Sequence, residues 1–213
     1  MAQVFPKWAN KIPLFLALAG PLVGISAVGL AWYYFSPKYT DVGYMPAQPV
    51  PYSHKLHVGT LGMDCRYCHA GVEVAAMASV PPTQVCMNCH GIIKRDSPLV
   101  APLRASLADG TPMRWVRVHN LPDYAYFNHS VHVSAGVGCV SCHGQIDQME
   151  VVYQSQPLSM SWCLDCHRDP GPSLRPADEV TNMQWIAPRD HATWAAEAVS
   201  RLNPPVDCSG CHQ

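Results

Sequence analysis

The chain is poor in charged residues and has no excess of either sign. Lys and Arg together number 14 and Asp and Glu 15, which gives a formal net charge of −1 over 213 residues and a pI near 6.8. Proteins that bind nucleic acid through its phosphates carry a clear excess of positive charge. That class of function is therefore excluded, and no strong single-sign field is present to steer a charged partner.

Long periodic segments are scarce after residue 35. The chain contains 20 prolines and 14 glycines, and both residue types interrupt regular helices and strands. This composition predicts a mainly α-helical and irregular fold, with short helices, long ordered coil and little or no sheet.

Cysteine is absent outside one repeated motif. All 10 cysteines belong to five copies of Cys-x-x-Cys-His, which is the attachment motif of c-type haem. Two thiols bind the haem covalently, and the adjacent histidine binds the iron from the proximal side. The predicted covalent ligands are Cys65, Cys68, Cys86, Cys89, Cys139, Cys142, Cys163, Cys166, Cys208 and Cys211. The predicted proximal ligands are His69, His90, His143, His167 and His212.

Other uses of paired cysteines fit this pattern poorly. A structural zinc site needs four ligands, and five cysteine pairs do not divide evenly into four-cysteine sites. A redox dithiol would occur once, beside a strand and helix. A disulfide scaffold would not place a histidine after every pair. The motifs therefore predict five haem c groups, whose macrocycles form the core of the folded domain.

Residues 12–35 form an apolar run of 24 residues without a charge, and about 20 are needed to cross a bilayer as a helix. Lys7 and Lys11 precede the run, which predicts a cytoplasmic tail at 1–11. A cleaved signal peptide is the alternative, but its apolar part is shorter and ends in small residues. Here the aromatic residues 32–34 occupy that end. The predicted location is therefore the bacterial inner membrane, single-pass, with the haem domain in the periplasm.

The exported part divides into a Pro-rich linker at 36–53 and a haem domain at 54–213. Within the domain, a His-x-x-His pair followed by two haem motifs occurs twice, at about 54–90 and 129–167. Equivalent positions are 75, 74 and 77 residues apart. This spacing predicts two duplicated dihaem units, with the fifth haem appended at 208–212.

Six histidines lie outside the motifs, and five irons need a second axial ligand. The predicted distal ligands are His54, His57, His119, His129 and His132. His191, Met149 and Met160 rank behind them, and a methionine ligand would raise the potential of its haem. With two protein ligands on every iron, no substrate site stays open. No catalytic residue is therefore predicted, and outer-sphere electron transfer is the expected activity.

The stretch 116–170, together with 53–91, 202–212 and the single anchor, resembles the pentahaem cytochrome c subunit (ActA) of bacterial alternative complex III. The resemblance covers essentially the whole chain. It implies an electron-carrying subunit of a quinol:electron-acceptor oxidoreductase in a respiratory or photosynthetic chain. The implied partners are multi-spanning quinol-oxidising membrane subunits and an iron–sulfur/molybdopterin-type periplasmic subunit. The implied acceptors are a monohaem cytochrome c, a copper protein or an oxidase.

Two alternatives stay open. One is a stand-alone, membrane-anchored quinol dehydrogenase of the multihaem type. The 29 residues between Phe35 and Cys65 disfavour it, because they separate the first haem motif from the anchor. The other is a catalytic multihaem reductase, which the surplus of axial ligands disfavours.

Overall fold

The computed structural model describes residues 4–212, and helices are its regular elements. The α-helices are α1 (Ile12–Tyr34), α2 (Pro37–Thr40), α3 (Cys65–Cys68), α4 (Thr83–His90), α5 (Ala101–Asp109), α6 (His129–Ser134), α7 (Cys139–His143), α8 (Met160–Arg168) and α9 (His191–Ser200). A π-helix spans Lys55–Thr60. Within 4–212 no strand forms, and one isolated antiparallel bridge joins Val137 to Leu174. The predicted fold class, helical and without a sheet, is confirmed.

The chain forms two compact units, the first ending at Asp41 and the second beginning at Val42. The first unit contains a 3₁₀ helix at Lys7–Lys11, then α1 and α2. The stretch Lys7–Tyr34 is the one helix of the described residues that is long and apolar enough to cross a membrane. Its side chains are exposed along its length. Three residues of the predicted cytoplasmic tail, 1–3, lie outside the described part.

The predicted linker at 36–53 is shorter in the structure, because residues 42–53 belong to the second unit. Val50 is buried in an apolar cluster with Val100 and Leu103. Gln48 exchanges two hydrogen bonds with the backbone of Val116, both 2.9 Å long. Burial of an apolar side chain and two long-range hydrogen bonds hold this proline-rich segment on the domain, which its composition alone did not predict.

Side-chain caps start three of the helical segments that carry haem motifs. Asp64 accepts from the backbone of Arg66 ahead of α3, Ser159 from Trp162 in α8, and Asp207 from Gly210 in the 3₁₀ helix Cys208–Gly210. A cap satisfies one of the backbone N–H groups that a helix start leaves unpaired. Short helices that are weak on their own are thereby fixed where the cysteines lie.

The protein side chains of the second unit form only a small apolar core. Of the described residues, eight hydrophobic side chains are buried: Val50, Val100, Leu103, Met149, Leu174, Val180, Met183 and Ala195. α4 packs against α5, α9 against the 3₁₀ helix Gly171–Ser173, and the π-helix against Ile146–Gln148. The last of these contacts joins the two halves of the haem-motif region.

Candidate haem sites

Each of the five motifs lies in a helical segment. The first four motifs lie in or at the ends of α3, α4, α7 and α8, and the fifth begins in the 3₁₀ helix Cys208–Gly210. Residues three and four positions apart lie on the same side of a helix. The two cysteines and the histidine of one motif therefore face the same way, as covalent attachment and iron ligation both require.

Four of the five motif histidines donate Nδ1–H to a backbone carbonyl. The acceptors are Ser79 for His69 (2.6 Å), Ile93 for His90 (3.0 Å), Pro205 for His167 (2.6 Å) and Tyr124 for His212 (2.9 Å). Metal-binding histidines usually make such a bond with the ring nitrogen that does not bind the metal, and the bond sets the tautomer. This arrangement leaves Nε2 as the ligand atom, so the donor set fits haem iron.

The remaining motif histidine, His143 of the third motif, has no such hydrogen bond. Its Nδ1 is buried and has no hydrogen-bond partner. Burial, with a smaller contribution from neighbouring histidines led by His119, lowers the pKa of His143 to about 3. The ring is therefore neutral at physiological pH, which is the form that binds metal.

The His-x-x-His histidines show the same pattern of hydrogen bonds. Nδ1–H of His57 donates to the carbonyl of Ser53, and that of His132 to the carbonyl of Asn128, each at 2.8 Å. His129 donates across the domain to the carbonyl of Ala76, also at 2.8 Å. Three of the four rings thus keep Nε2 available. The remaining one, His54, has a buried Nδ1 without a partner.

Three motif histidines have a second histidine ring at the distance that one shared metal would require. The ring centres are 6.2 Å apart for His57 and His90, 6.0 Å for His132 and His167, and 6.4 Å for His129 and His143. A metal–imidazole bond is about 2 Å long and the ring centre lies about 1 Å further on, so two imidazoles on opposite sides of one metal have centres about 6 Å apart. These three pairs fit axial ligation of one haem each.

The other two motif histidines are less completely surrounded. The pKa of His54 is lowered to about 4, mainly by burial and in smaller part by the nearby His69. The ring of His212 contacts Tyr124 at 5.7 Å, and no second histidine is among its ring contacts within residues 4–212. None of the predicted distal histidines is therefore among the ring contacts of His212.

His119, the last of the five predicted distal ligands, lies beside His143. The two ring centres are only 4.5 Å apart, with the planes at 78°, which leaves too little room for a metal between them. Nε2 of His119 is buried without a hydrogen-bond partner, and burial lowers the pKa of His119. The geometry places His129, rather than His119, opposite His143.

The three lower-ranked candidates have different environments. Nε2–H of His191 donates to the carbonyl of Leu174 at 2.9 Å, and its ring lies between Trp185 and Trp194. That hydrogen bond occupies the nitrogen through which the other histidines would bind iron. Met160 is 66% exposed at the start of α8, whereas Met149 is buried.

An aromatic ring packs against both histidines of each His-x-x-His pair. Tyr52 has ring centres 4.8 Å from His54 and 4.4 Å from His57. Phe127 repeats these distances, 4.8 Å from His129 and 4.4 Å from His132. Tyr52 and Phe127 were not predicted as site residues. Their separation of 75 residues, equal to that of His54 and His129, was the signal that could have found them.

The cysteine pairs follow one another in a spatial order that differs from their order in the chain. Burial raises the pKa of the Cys68 thiol, and the nearby Cys86 of the second motif adds to the rise. The Cys65 thiol interacts with that of Cys139, which is the main cause of its raised pKa. The first motif therefore lies between the second and the third.

The last three motifs continue this series. Burial raises the pKa of the Cys142 thiol to about 12, with a contribution from Cys166 and Cys163 of the fourth motif. Burial also raises the pKa of Cys163, followed by the effect of Cys211 in the fifth motif. Thioether formation removes these protons, so the spatial neighbourhood is what carries over to the haem-loaded chain. The order of the motifs in space is second, first, third, fourth, fifth.

Residues 125–213 match the family described as cytochrome c7 and related cytochrome c. The match covers less than half of the chain. Together with the helical fold and the haem motifs it indicates a cytochrome c7-like multihaem domain, whose cofactor would be c-type haem. The chain is also similar to the multihaem cytochrome c subunit of menaquinone reductase from Nitratidesulfovibrio vulgaris strain Hildenborough. The two are 29% identical over 177 residues, which is 78% of this chain and 77% of the relative.

Proposed function

We propose that the chain conducts electrons through five covalently bound haems c, one at each motif. The observation that carries this proposal is the pairing of His57 with His90, His129 with His143 and His132 with His167 at ring-centre distances of 6.0–6.4 Å. Each pair would supply two ligands to one haem iron. A haem with two protein ligands transfers electrons without binding a substrate, and the protein supplies binding, orientation and electrostatics around it.

The spatial order of the motifs supports a single path for the electrons. Neighbouring cysteines link the second motif to the first, the first to the third, the third to the fourth and the fourth to the fifth. Thioether sulfurs mark one edge of each haem, so close sulfurs of two motifs bring two haem edges together. The ends of the path are the haems at Cys86–His90 and Cys208–His212.

The chain would act in a membrane complex, which we take to be a quinol:electron-acceptor oxidoreductase of the alternative complex III type. The resemblance of residues 53–91, 116–170 and 202–212 to its pentahaem subunit supports this. In that setting multi-spanning subunits oxidise quinol beside an iron–sulfur/molybdopterin-type subunit. This chain passes the electrons to a periplasmic cytochrome, a copper protein or an oxidase. α1 would anchor it in the inner membrane, with residues after 35 in the periplasm.

A second candidate is a complex in which electrons move in the opposite direction, onto a quinone. The similarity to a menaquinone reductase subunit over 78% of the chain supports this candidate. An electron path of haems works in either direction, because the direction depends on the potentials of donor and acceptor. Both candidates assign quinone chemistry to partner subunits.

A stand-alone quinol dehydrogenase has less support. A cleft of about 490 Å³ lies beside the first motif, and its lining includes Asp64, Asp147, Gln148 and Gln184. Sites for small apolar ligands are lined mainly by hydrophobic and aromatic side chains. The lining also contains Val58, Met63 and Met183 but no aromatic side chain, so it provides little surface for a quinone ring to stack on.

The test is haem reduction by a quinol analogue, followed in the α-band, for the isolated chain and for the mildly solubilised native complex. We expect rapid reduction in the complex only. Equal rates in both samples would overturn the proposal in favour of the stand-alone dehydrogenase. A second experiment adds menaquinone to the same complex after its haems have been reduced. It separates the two candidates, because only a quinone reductase transfers electrons from its haems to menaquinone at a physiological rate.

A further inference from the structure

Arg175 is a buried cation that no carboxylate contacts. The residue is 6% exposed, and it takes part in none of the ion pairs formed within residues 4–212. One terminal nitrogen donates to the carbonyl of Asn182 at 2.8 Å, and Nε is buried without a partner. The guanidinium carbon lies 4.9 Å from the ring centre of Trp185. Arginine stays charged in such a site.

A buried, unpaired charge is costly, so its position requires a reason other than stability. The backbone fixes that position with three hydrogen bonds between the segments 173–180 and 136–139. Gly138 N–H donates to Ser173 at 3.1 Å, Arg175 N–H to Gly136 at 2.8 Å and Cys139 N–H to Val180 at 3.0 Å. The guanidinium is thereby held against Gly138, the residue immediately before the third haem motif.

Arg175 contacts the third motif closely at Gly138. A side chain there would overlap Nε and Cζ of Arg175. The next residue, Cys139, is a predicted covalent haem ligand, and its thiol interacts with Cys65 of the first motif. The cation therefore lies where the first and third motifs meet.

We propose that Arg175 raises the reduction potential of the haem bound at Cys139–His143. Reduction lowers the positive charge on a haem by one, so a fixed cation nearby favours the reduced form. The effect is larger in a buried site, where water screens it less, and such electrostatic surroundings help to set haem potentials. The cation thus stabilises an electron on the haem of the third motif. This inference rests on the proposed electron path.

The experiment compares redox titrations of the full, haem-loaded chain in detergent, wild type against Arg175→Gln and Arg175→Lys. EPR of poised samples identifies the haem, because the near-parallel rings of His129 and His143, at 11°, give a different signal from the pairs at 39° and 60°. In Arg175→Gln we expect this one transition to move to lower potential. In Arg175→Lys, which keeps the charge, most of the wild-type potential should remain.

Two further variants keep the test independent of folding defects. Gly138→Ala inserts a methyl group that displaces the end of the flexible Arg175 side chain, and it should lower the same potential by less than Arg175→Gln. The matched control is Arg168→Gln, which follows His167 directly. Arg168 is 63% exposed and pairs with Asp165 at 3.8 Å, so solvent screens it and no transition should move.

Haem content, measured as the pyridine complex, distinguishes a failure of the proposed electron path from a failure of the role of Arg175. Fewer than five haems in the wild type would count against the proposed path itself. Five haems with unchanged potentials in both Gly138→Ala and Arg175→Gln would overturn the role of Arg175 alone. An equal shift of every haem would do the same, because it would indicate a general structural change. If Arg175→Gln loses haem, Gly138→Ala decides between these outcomes.

Discussion

At the scale of single residues, the histidines differ in which ring nitrogen is already hydrogen-bonded. Seven donate Nδ1–H to a backbone carbonyl, whereas His191 uses Nε2. A carbonyl on Nδ1 orients the ring and leaves Nε2 for a metal. This distinction separates ligand candidates from a structural histidine more clearly than their positions in the sequence do.

Replacing His132 by alanine should open one axial position. Because His132 is the ring opposite His167, we expect one of five haems to become high-spin and to bind carbon monoxide when reduced. The measurement is the absorption spectrum with and without carbon monoxide. His191→Ala is the control, and its spectra with and without carbon monoxide should match those of the wild type. A wild-type response in His132→Ala would contradict the assignment.

Asp64 should make the chain sensitive to acid. Its carboxylate accepts from Nε and a terminal nitrogen of Arg66, each at 2.9 Å, and from the Thr181 hydroxyl at 3.0 Å. The Arg66 side chain is the main reason why the pKa of Asp64 falls from 3.8 to about 2. A lowered folded-state pKa means that the stabilisation is present above pH 3.8 and is lost as the pH falls toward 2.

Asp64→Asn keeps an acceptor for the helix start but removes the charge. We therefore expect wild-type stability to fall more steeply than that of the variant between pH 4 and 2, as measured by denaturant unfolding of the haem-loaded chain. Asp64→Ala removes the cap as well and should cost about 1 kcal/mol at neutral pH. Asp165→Asn, which removes only one exposed ion pair, is the control. Parallel acid profiles for wild type and Asp64→Asn would refute this role.

At the scale of elements, the two His-x-x-His segments are built alike although their secondary structure differs. The first is a π-helix at Lys55–Thr60, and the second is the α-helix α6. In both, an aromatic ring packs on the second histidine at 4.4 Å, and that histidine faces the later motif of its own half. The shared geometry supports the proposed duplication into two dihaem units.

Removal of either aromatic ring should therefore have the same local effect. Tyr52→Ala should loosen His57 and disturb the haem at Cys86–His90, and Phe127→Ala should do the same to His132 and the haem at Cys163–His167. For these partly buried rings we expect the free energy of unfolding to fall by about 2–3 kcal/mol, at or below the low end for truncation of a buried aromatic side chain. Denaturant unfolding and low-temperature EPR measure the two effects.

Tyr52→Phe is the matched control, because it makes the first half chemically identical to the second at this position. It should leave the EPR signals unchanged. If Tyr52→Ala and Phe127→Ala disturbed unrelated haems, the equivalence of the two halves would be wrong.

At the scale of the whole molecule, the chain consists of an exposed apolar helix and a separate compact unit from Val42 onward. Because the predicted haem ligands all lie in the second unit, the anchor should be dispensable for haem attachment. A chain in which a cleavable export signal replaces residues 1–35 should be recovered in the soluble periplasmic fraction with five haems. Wild type should stay with the membranes. Retention of the shortened chain on membranes stripped of partner subunits would contradict this.

The repeated motif was enough to predict the cofactor chemistry. Five Cys-x-x-Cys-His copies account for every cysteine, and covalent attachment depends on spacing within one helical turn, which is local. The frequency of proline and glycine likewise determined that short helices would form and that a sheet would not. The apolar run 12–35 identified the single long helix, because the length required to cross a bilayer is a local property too.

Which residues lie together could be seen only in the folded chain. The approach of His129 and His119 to His143 and the spatial order of the motifs depend on contacts between segments far apart in the chain. The same is true of Arg175, whose guanidinium reaches Gly138 only because the segment 173–180 folds back on 136–139. Spacing cannot reveal such contacts, because burial and long-range hydrogen bonds establish them only when the chain is folded.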